Sequence, residues 1–254
     1  MSAPGVLVHP NAELLAAGVA ARLITRLVDA QARREIASVV LTGGGAGLAA
    51  LAAVADSPAR DAVDWGRVDV WWGDERFLPS GHPERNETGA REALLDKVPV
   101  DPARVHAMRG PDGPDGDDAD AAAARYAAEL ADAAGGAPVP AFDVLMLGVG
   151  PDAHIASLFP GQPTLREERL TVVGVHGSPK PPPTRISLTV PAIRAAEEVW
   201  VIASGSSKAE PVRLGLTGAD PVEAPVAAAR GLCSTLYLLD RDAASALPAG
   251  SRPA

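Results

Sequence analysis

The chain has 254 residues, a length that suits one α/β domain with a sizeable core. Hydrophobic residues make up 47% and charged residues 22%, which excludes the low-hydrophobicity, high-charge signature of a disordered chain. A formal charge of −9 excludes a basic face for nucleic acid or anionic membrane, but leaves room for a small anionic substrate held by local cations.

In chain order, Leu15, Val19, Leu23 and Leu27 recur at helical spacing near the N-terminus. Arg22 and Arg26 interrupt that apolar stretch, so it is read as neither a signal peptide nor a membrane span. Buried strands are expected at 36–41, 68–72, 142–149, 185–190, 199–203 and 232–239, where Val, Ile and Leu run almost without interruption. Ala-rich segments at 48–55, 87–95, 119–133 and 208–216 carry helical spacing between them. This alternation predicts a single-domain α/β fold, Rossmann-like, with a mostly parallel sheet and helices on both faces. Residues 110–118 and 177–184, rich in Gly, Pro and Asp or in Pro alone, are expected as surface excursions. One domain is expected over 1–242, with 243–254 a poorly ordered tail. The single cysteine, Cys233, cannot form an internal disulfide; it is expected as a buried thiol in a reducing, cytoplasmic setting.

Ligands of open parallel sheets bind beyond the carboxyl ends of the strands, so the loops after each apolar run carry the information. Gly43, Gly44 and Gly45 follow the second run and lead into a helix, leaving bare N–H groups and a positive helix end for an anion. Asp74, Glu75 and Arg76 follow Trp71-Trp72-Gly73; three successive charges beside bulky apolar residues need partners or a ligand. Asp152 and His154 follow Gly148-Val149-Gly150-Pro151, and histidine exchanges protons near neutral pH. Lys208 lies in the first turn of a helix after Ser204-Gly205, where the macrodipole disfavours a cation unless an anion binds there. Arg185 opens its own apolar run after the proline-rich loop. His9, His82, His106 and His176 sit in weaker contexts and are read as surface or structural.

The Gly-rich turn 41–47, Trp72-Gly73-Asp74-Glu75-Arg76, the segment 142–161 and Ser204–Ala209 together resemble the 6-phosphogluconolactonase family. The most specific piece is His154-Ile155-Ala156-Ser157-Leu158-Phe159-Pro160-Gly161 preceded by Gly148 and Gly150. The resemblance implies a fold like that of glucosamine-6-phosphate deaminase and ribose-5-phosphate isomerase. It also implies hydrolysis of 6-phospho-glucono-1,5-lactone without metal or cofactor. In the resulting expectation His154 is the general base, with Asp152 or Asp74 orienting it. Arg76, Arg185, Lys208 and the N–H groups of Gly43 to Gly45 would hold the phosphate or the oxyanion. Two positions depart from the family pattern: Ala153 stands for its usual glycine, and Gly45-Ala46-Gly47 for its Ser-Thr-Pro. Alanine at 153 raises the question of a positive φ, which a Cβ makes costly.

Competing readings make distinct demands. A sugar-phosphate deaminase or isomerase would place a carboxylate after the histidine, where Ser157 to Gly161 supply none. A dinucleotide fingerprint, Gly148-x-Gly150-x-x-Ala153, would have to open a helix. A sugar-phosphate sensor would carry an added DNA-binding segment. A metal hydrolase could draw on Asp152, His154, Asp74 and Glu75, without a recognised ligand spacing. The expected partner is a small phosphorylated lactone, and the expected state a monomer or small homo-oligomer.

Overall fold

The computed structural model describes residues 3–248. Six strands form a wholly parallel sheet in the order β1-β9-β8-β5-β2-β3. They are β1 (Gly5–His9), β2 (Ala37–Leu41), β3 (Val68–Trp72), β5 (Val144–Gly148), β8 (Glu198–Ala203) and β9 (Ser234–Asp240). Every residue of β2 is buried, as near-continuous apolar strands covered on both faces require. A second, three-stranded antiparallel sheet has the order β4-β7-β6, with β4 (Asp74–Arg76), β6 (Val172–Val175) and β7 (Arg185–Leu188).

Among the described residues six helices connect the strands: α1 (Ala12–Arg34), α2 (Gly44–Asp56), α3 (Asn86–Ala93), α4 (Ala119–Ala133), the short α5 (Val190–Arg194) and α6 (Ala209–Thr217). The Asn11 side chain caps α1 by accepting from Leu14 N, and Leu15, Val19, Leu23 and Leu27 form its buried stripe. α4 follows its predicted span, capped by Asp118; the Tyr126 hydroxyl bonds the backbone of Trp72, which joins the helix to the end of β3. Burial pushes the Tyr126 hydroxyl pKa far up, so it serves as a neutral partner there.

Three expectations change. The run from 185 belongs to the small antiparallel sheet, not the parallel one, and ends at Leu188, because Pro191 at the start of α5 breaks the extended chain. Cys233 is exposed, because the last strand begins one residue later, at Ser234. The tail from 243 is not loose as far as Leu247: Ala243, Ala244 and Leu247 are buried, and Ala243 N donates to Asp240 Oδ1 at 2.8 Å. The rest of that expectation, 249–254, lies outside the described residues. Among the described residues no helix is long and apolar enough to cross a membrane.

Candidate active site

Four loops that leave strand ends converge on a cavity of about 190 Å3, lined by Gly43, Gly44, Asp74, Arg76, Asn86, Gly150, His154, Lys180, Arg185 and Lys208 among others. The small sheet sits at the carboxyl end of the large one, because Gly73 joins β3 directly to β4 and Leu188 N donates to Gly73 O at 2.9 Å.

The first loop is the turn from β2 into α2. Gly44 has φ +78°, which favours glycine, and a Cβ on Gly43 would collide with the Asn86 side chain. No side chain caps α2 and its first turn holds no acid, so its N–H groups and positive end are left to the cavity. Gly43 and Gly44 line this cavity. Gly45 lines an adjoining, largely apolar space of about 400 Å3, which shares Gly43, Gly44, Gly148, Val149 and Lys208 with it.

The second loop carries the three charges after β3. Asp74 and Glu75 are buried, unlike the side chains of a solvated turn. Asp74 Oδ2 accepts from Ser157 Oγ at 2.7 Å, and its main-chain O accepts from Asn86 Nδ2 at 2.7 Å. Asn86 Oδ1 in turn accepts from Arg76 Nη1, so one amide holds both residues. Glu75 accepts from the backbone N–H groups of Arg76, Asn86 and Glu87 at 2.6 to 2.9 Å. Burial raises its pKa to about 7, against the pull of Arg85 and those amides.

The third loop follows β5. Gly150 N donates to His154 O at 2.9 Å and Ala153 N to Gly150 O at 3.0 Å, closing a tight turn. A Cβ on Gly150 would strike the His154 ring and the Asp152 carboxylate. Ala153 does adopt positive φ, +65°, as does Ala156, +48°. His154 Nδ1 lies 2.6 Å from Asp152 Oδ1, so Asp152 rather than Asp74 is the carboxylate on the imidazole. Burial opposes ionisation of Asp152, but hydrogen bonds to His154 and Lys180 outweigh it and hold its pKa well below the usual carboxylate range. The Phe159 ring packs against that of His154, their centroids 4.6 Å apart. No helix follows β5; the next helical turn starts at Pro163, so the dinucleotide pattern lacks its helix.

The fourth loop carries Lys208. Asp240 orders it by accepting from Ser204 Oγ at 2.5 Å and Gly205 N at 3.1 Å. Burial, then the Lys180 charge, lowers the Lys208 pKa. Burial likewise lowers that of Arg185, with Arg76 adding to it. Those two arginines face each other in register across β4 and β7. Four cations, Arg76, Lys180, Arg185 and Lys208, thus line the cavity against one lining carboxylate, Asp74. Such a lining selects an anion in spite of the chain's negative total.

Of the nine residues expected from the sequence, seven line the cavity, Gly45 lies at its margin, and Asp152 stands against His154 without lining it. Lys180 and Asn86 are additional. Lys180 lies in the 177–184 loop, expected as a surface excursion, yet its Nζ is 2.9 Å from Asp152 Oδ1 and 3.2 Å from His154 Nδ1. The one sequence signal for it was the only lysine in a loop that returns immediately to Arg185. Asn86 gave no signal beyond opening a helix. Residues 110–118 do not line the cavity; Asp112 accepts from Ser80 N instead. Among the described residues, no three His, Cys, Asp or Glu side chains are grouped to hold a metal.

A family model described as glucosamine-6-phosphate isomerases/6-phosphogluconolactonase matches residues 10–237. The chain is 62% identical to the 6-phosphogluconolactonase of Streptomyces coelicolor, over 98% of this chain and 97% of that protein. It is 47% identical to that of Mycobacterium tuberculosis, over 95% of this chain and 97% of the relative. The solved structure of the Trypanosoma brucei 6-phosphogluconolactonase superposes with a TM-score of 0.77 at 26% identity, covering 96% of this chain and 99% of that one. With the matched model spanning most of the chain and these likenesses end to end, the protein belongs to the glucosamine-6-phosphate isomerase/6-phosphogluconolactonase family.

Proposed function

We propose that this protein hydrolyses 6-phospho-glucono-1,5-lactone to 6-phosphogluconate, the lactone-opening step of the oxidative pentose phosphate route. The observation that carries this reading is the Asp152–His154 pair, with His154 on the wall of a cation-lined cavity and Asp152 on its Nδ1. Near-complete alignment with relatives named for that activity supports the substrate.

With Asp152 ionised, neutral His154 donates from Nδ1 to the carboxylate and keeps the Nε2 lone pair for a water molecule. Nε2 takes a proton as the water oxygen bonds to the lactone carbonyl carbon. The resulting tetrahedral oxyanion is stabilised by a lining cation, a part this reading gives to Arg76, whose guanidinium Asn86 holds. As the intermediate collapses, the bond from carbonyl carbon to ring oxygen breaks, and His154 returns the proton to that oxygen. The new carboxylic acid then releases a proton to solvent. Lys208 and the uncapped α2 N-terminus, with Gly43 to Gly45, form the phosphate end, since they also line the adjoining space, which His154 does not. Asp74, held by Ser157 and Asn86, lines the cavity and in this reading accepts from a sugar hydroxyl.

The test is acid release on adding freshly prepared lactone, with spontaneous opening subtracted. Opening that persists in EDTA and collapses in His154→Ala is the expected outcome. A wild type no faster than the background, or a His154→Ala variant as fast as wild type, overturns the reading.

A further inference from the structure

Arg185 reaches the cavity wall with most of its donors already engaged. A guanidinium has five N–H groups. Here Nη2 donates to the carbonyls of Lys180 at 3.2 Å and Pro181 at 3.0 Å, Nε donates to that of Pro182 at 3.2 Å, and Nη1 reaches Ser157 Oγ at 3.5 Å. One N–H remains. The residue is only 5% exposed and packs beside Phe159, so few waters could take over these carbonyls.

The strap it grips cannot hold itself by an ordinary ladder. Pro181, Pro182 and Pro183 have no N–H to donate, and only their carbonyls remain for pairing. Ser178 closes the base of the strap: its N–H donates to Pro183 O at 2.8 Å, and its Oγ donates to Lys180 O at 2.9 Å. The three successive carbonyls of Lys180, Pro181 and Pro182 turn onto one fork. Lys180 then extends across to Asp152 Oδ1 and the edge of His154.

We propose that Arg185 is a positioning residue and not an anchor for the substrate's anion: it pins the 180–182 backbone and thereby seats Lys180 on the Asp152–His154 pair. Lys180 donates to the same carboxylate oxygen that His154 uses, so it fixes the direction from which that carboxylate meets the imidazole. Losing Arg185 is therefore equivalent, for turnover, to losing the placement of Lys180. The kinetic part of this inference rests on the lactonase reading; the structural part does not.

The experiment is a double-mutant cycle on the full chain, Lys180→Ala, Arg185→Ala and both together, with Arg185→Lys as a conservative variant. Steady-state lactone opening is measured alongside hydrogen exchange of the Ser178 and Lys180 amides. Each single change is expected to lower kcat about 10–100-fold, the scale of a misplaced catalytic group, with KM close to wild type. The double variant should be no slower than Lys180→Ala alone, because the two changes act through one contact. Strap amides should exchange faster in Arg185→Ala but stay protected in Lys180→Ala, with Arg185→Lys between wild type and Arg185→Ala. If Arg185→Ala does not fold, Arg185→Lys takes its place, since one ammonium cannot reach all three carbonyls. A KM that rises with kcat retained, losses that multiply in the double variant, or a strap as protected without Arg185 as with it would each overturn the proposal. A wild type without lactonase activity would remove the functional reading alone, leaving the exchange measurements to decide on the strap.

Discussion

The two sheets contribute to one cavity in different ways. The parallel sheet offers backbone: the glycine turn into α2 and the tight turn after β5 bring main-chain groups and the Asp152–His154 pair to the strand ends. The small antiparallel sheet offers side chains: Asp74 and Arg76 from β4 and Arg185 from β7, each held by neighbours such as Asn86, Ser157 and the 180–182 carbonyls. The difference teaches that loops leaving a deeply buried sheet can place an imidazole–carboxylate pair rigidly. Fixed charges at its mouth need a second framework of polar contacts to offset their desolvation.

The largest expected effect breaks the parallel-sheet side. Asp152→Asn leaves the imidazole without an anionic partner and should lower kcat about 10²–10⁴-fold, measured by acid release with protein folding checked by circular dichroism. An unchanged rate would mean that Asp152 does not orient His154.

Breaking the antiparallel side should have a mixed signature. Asn86→Ala removes the amide shared by Asp74 and Arg76 and is expected to cost about 1–3 kcal/mol in denaturant unfolding, because buried polar atoms lose their partner. Activity should fall as well, by less than in Asp152→Asn. Full activity at reduced stability would confine Asn86 to a structural part.

The pH dependence of stability sharpens the contrast. Glu75 in the folded chain has its pKa raised from the ordinary 4.5 to about 7 by burial. Its folded form therefore binds more protons than the unfolded form in that window, and its contribution to stability is lost as pH rises from about 4.5 through about 7. Asp152, lowered, acts with the opposite sign: its contribution is present above the ordinary carboxylate value and lost as pH falls. Glu75→Gln should thus flatten the decline of Tm between mildly acid and neutral pH, whatever its absolute Tm. Parallel Tm profiles for the variant and the wild type would assign that decline elsewhere.

The smallest effect is expected at Ala153. Glycine there would relieve a left-handed residue by about 1–2 kcal/mol, but it adds about 0.5–1 kcal/mol of chain entropy and removes a buried methyl worth about 0.8 kcal/mol. These terms nearly cancel, so Ala153→Gly should change unfolding free energy by no more than about 1 kcal/mol; a larger gain would mean that the methyl is poorly packed.

Much of this protein could be read from its residues. Uninterrupted apolar runs located five strands of the large sheet, because strands covered on both faces admit little else. Residues 119–133 were visible as a helix from spacing and composition. The glycine turn, Asp152, His154 and Lys208 were visible because each follows a recognisable strand, and the fold puts such loops at one end. The three-residue β4 and the four-residue β6 were not, since so short a run has no period of its own to detect, and neither was the edge strand β1, whose residues are all only partly buried.

What the sequence by itself determined was the parallel core, the helices over it and the residues at its carboxyl end, all set by local hydrophobic pattern and glycine geometry. Only the tertiary structure decided that β7 leaves that sheet to pair with β4, that Cys233 faces outward, and that the proline strap folds back to bring Lys180 onto His154. Those outcomes depend on pairings between segments far apart in the chain, as when Arg76 meets Arg185 across a hydrogen-bonded ladder, and no local pattern records which distant partner a short strand or a proline-rich loop will find.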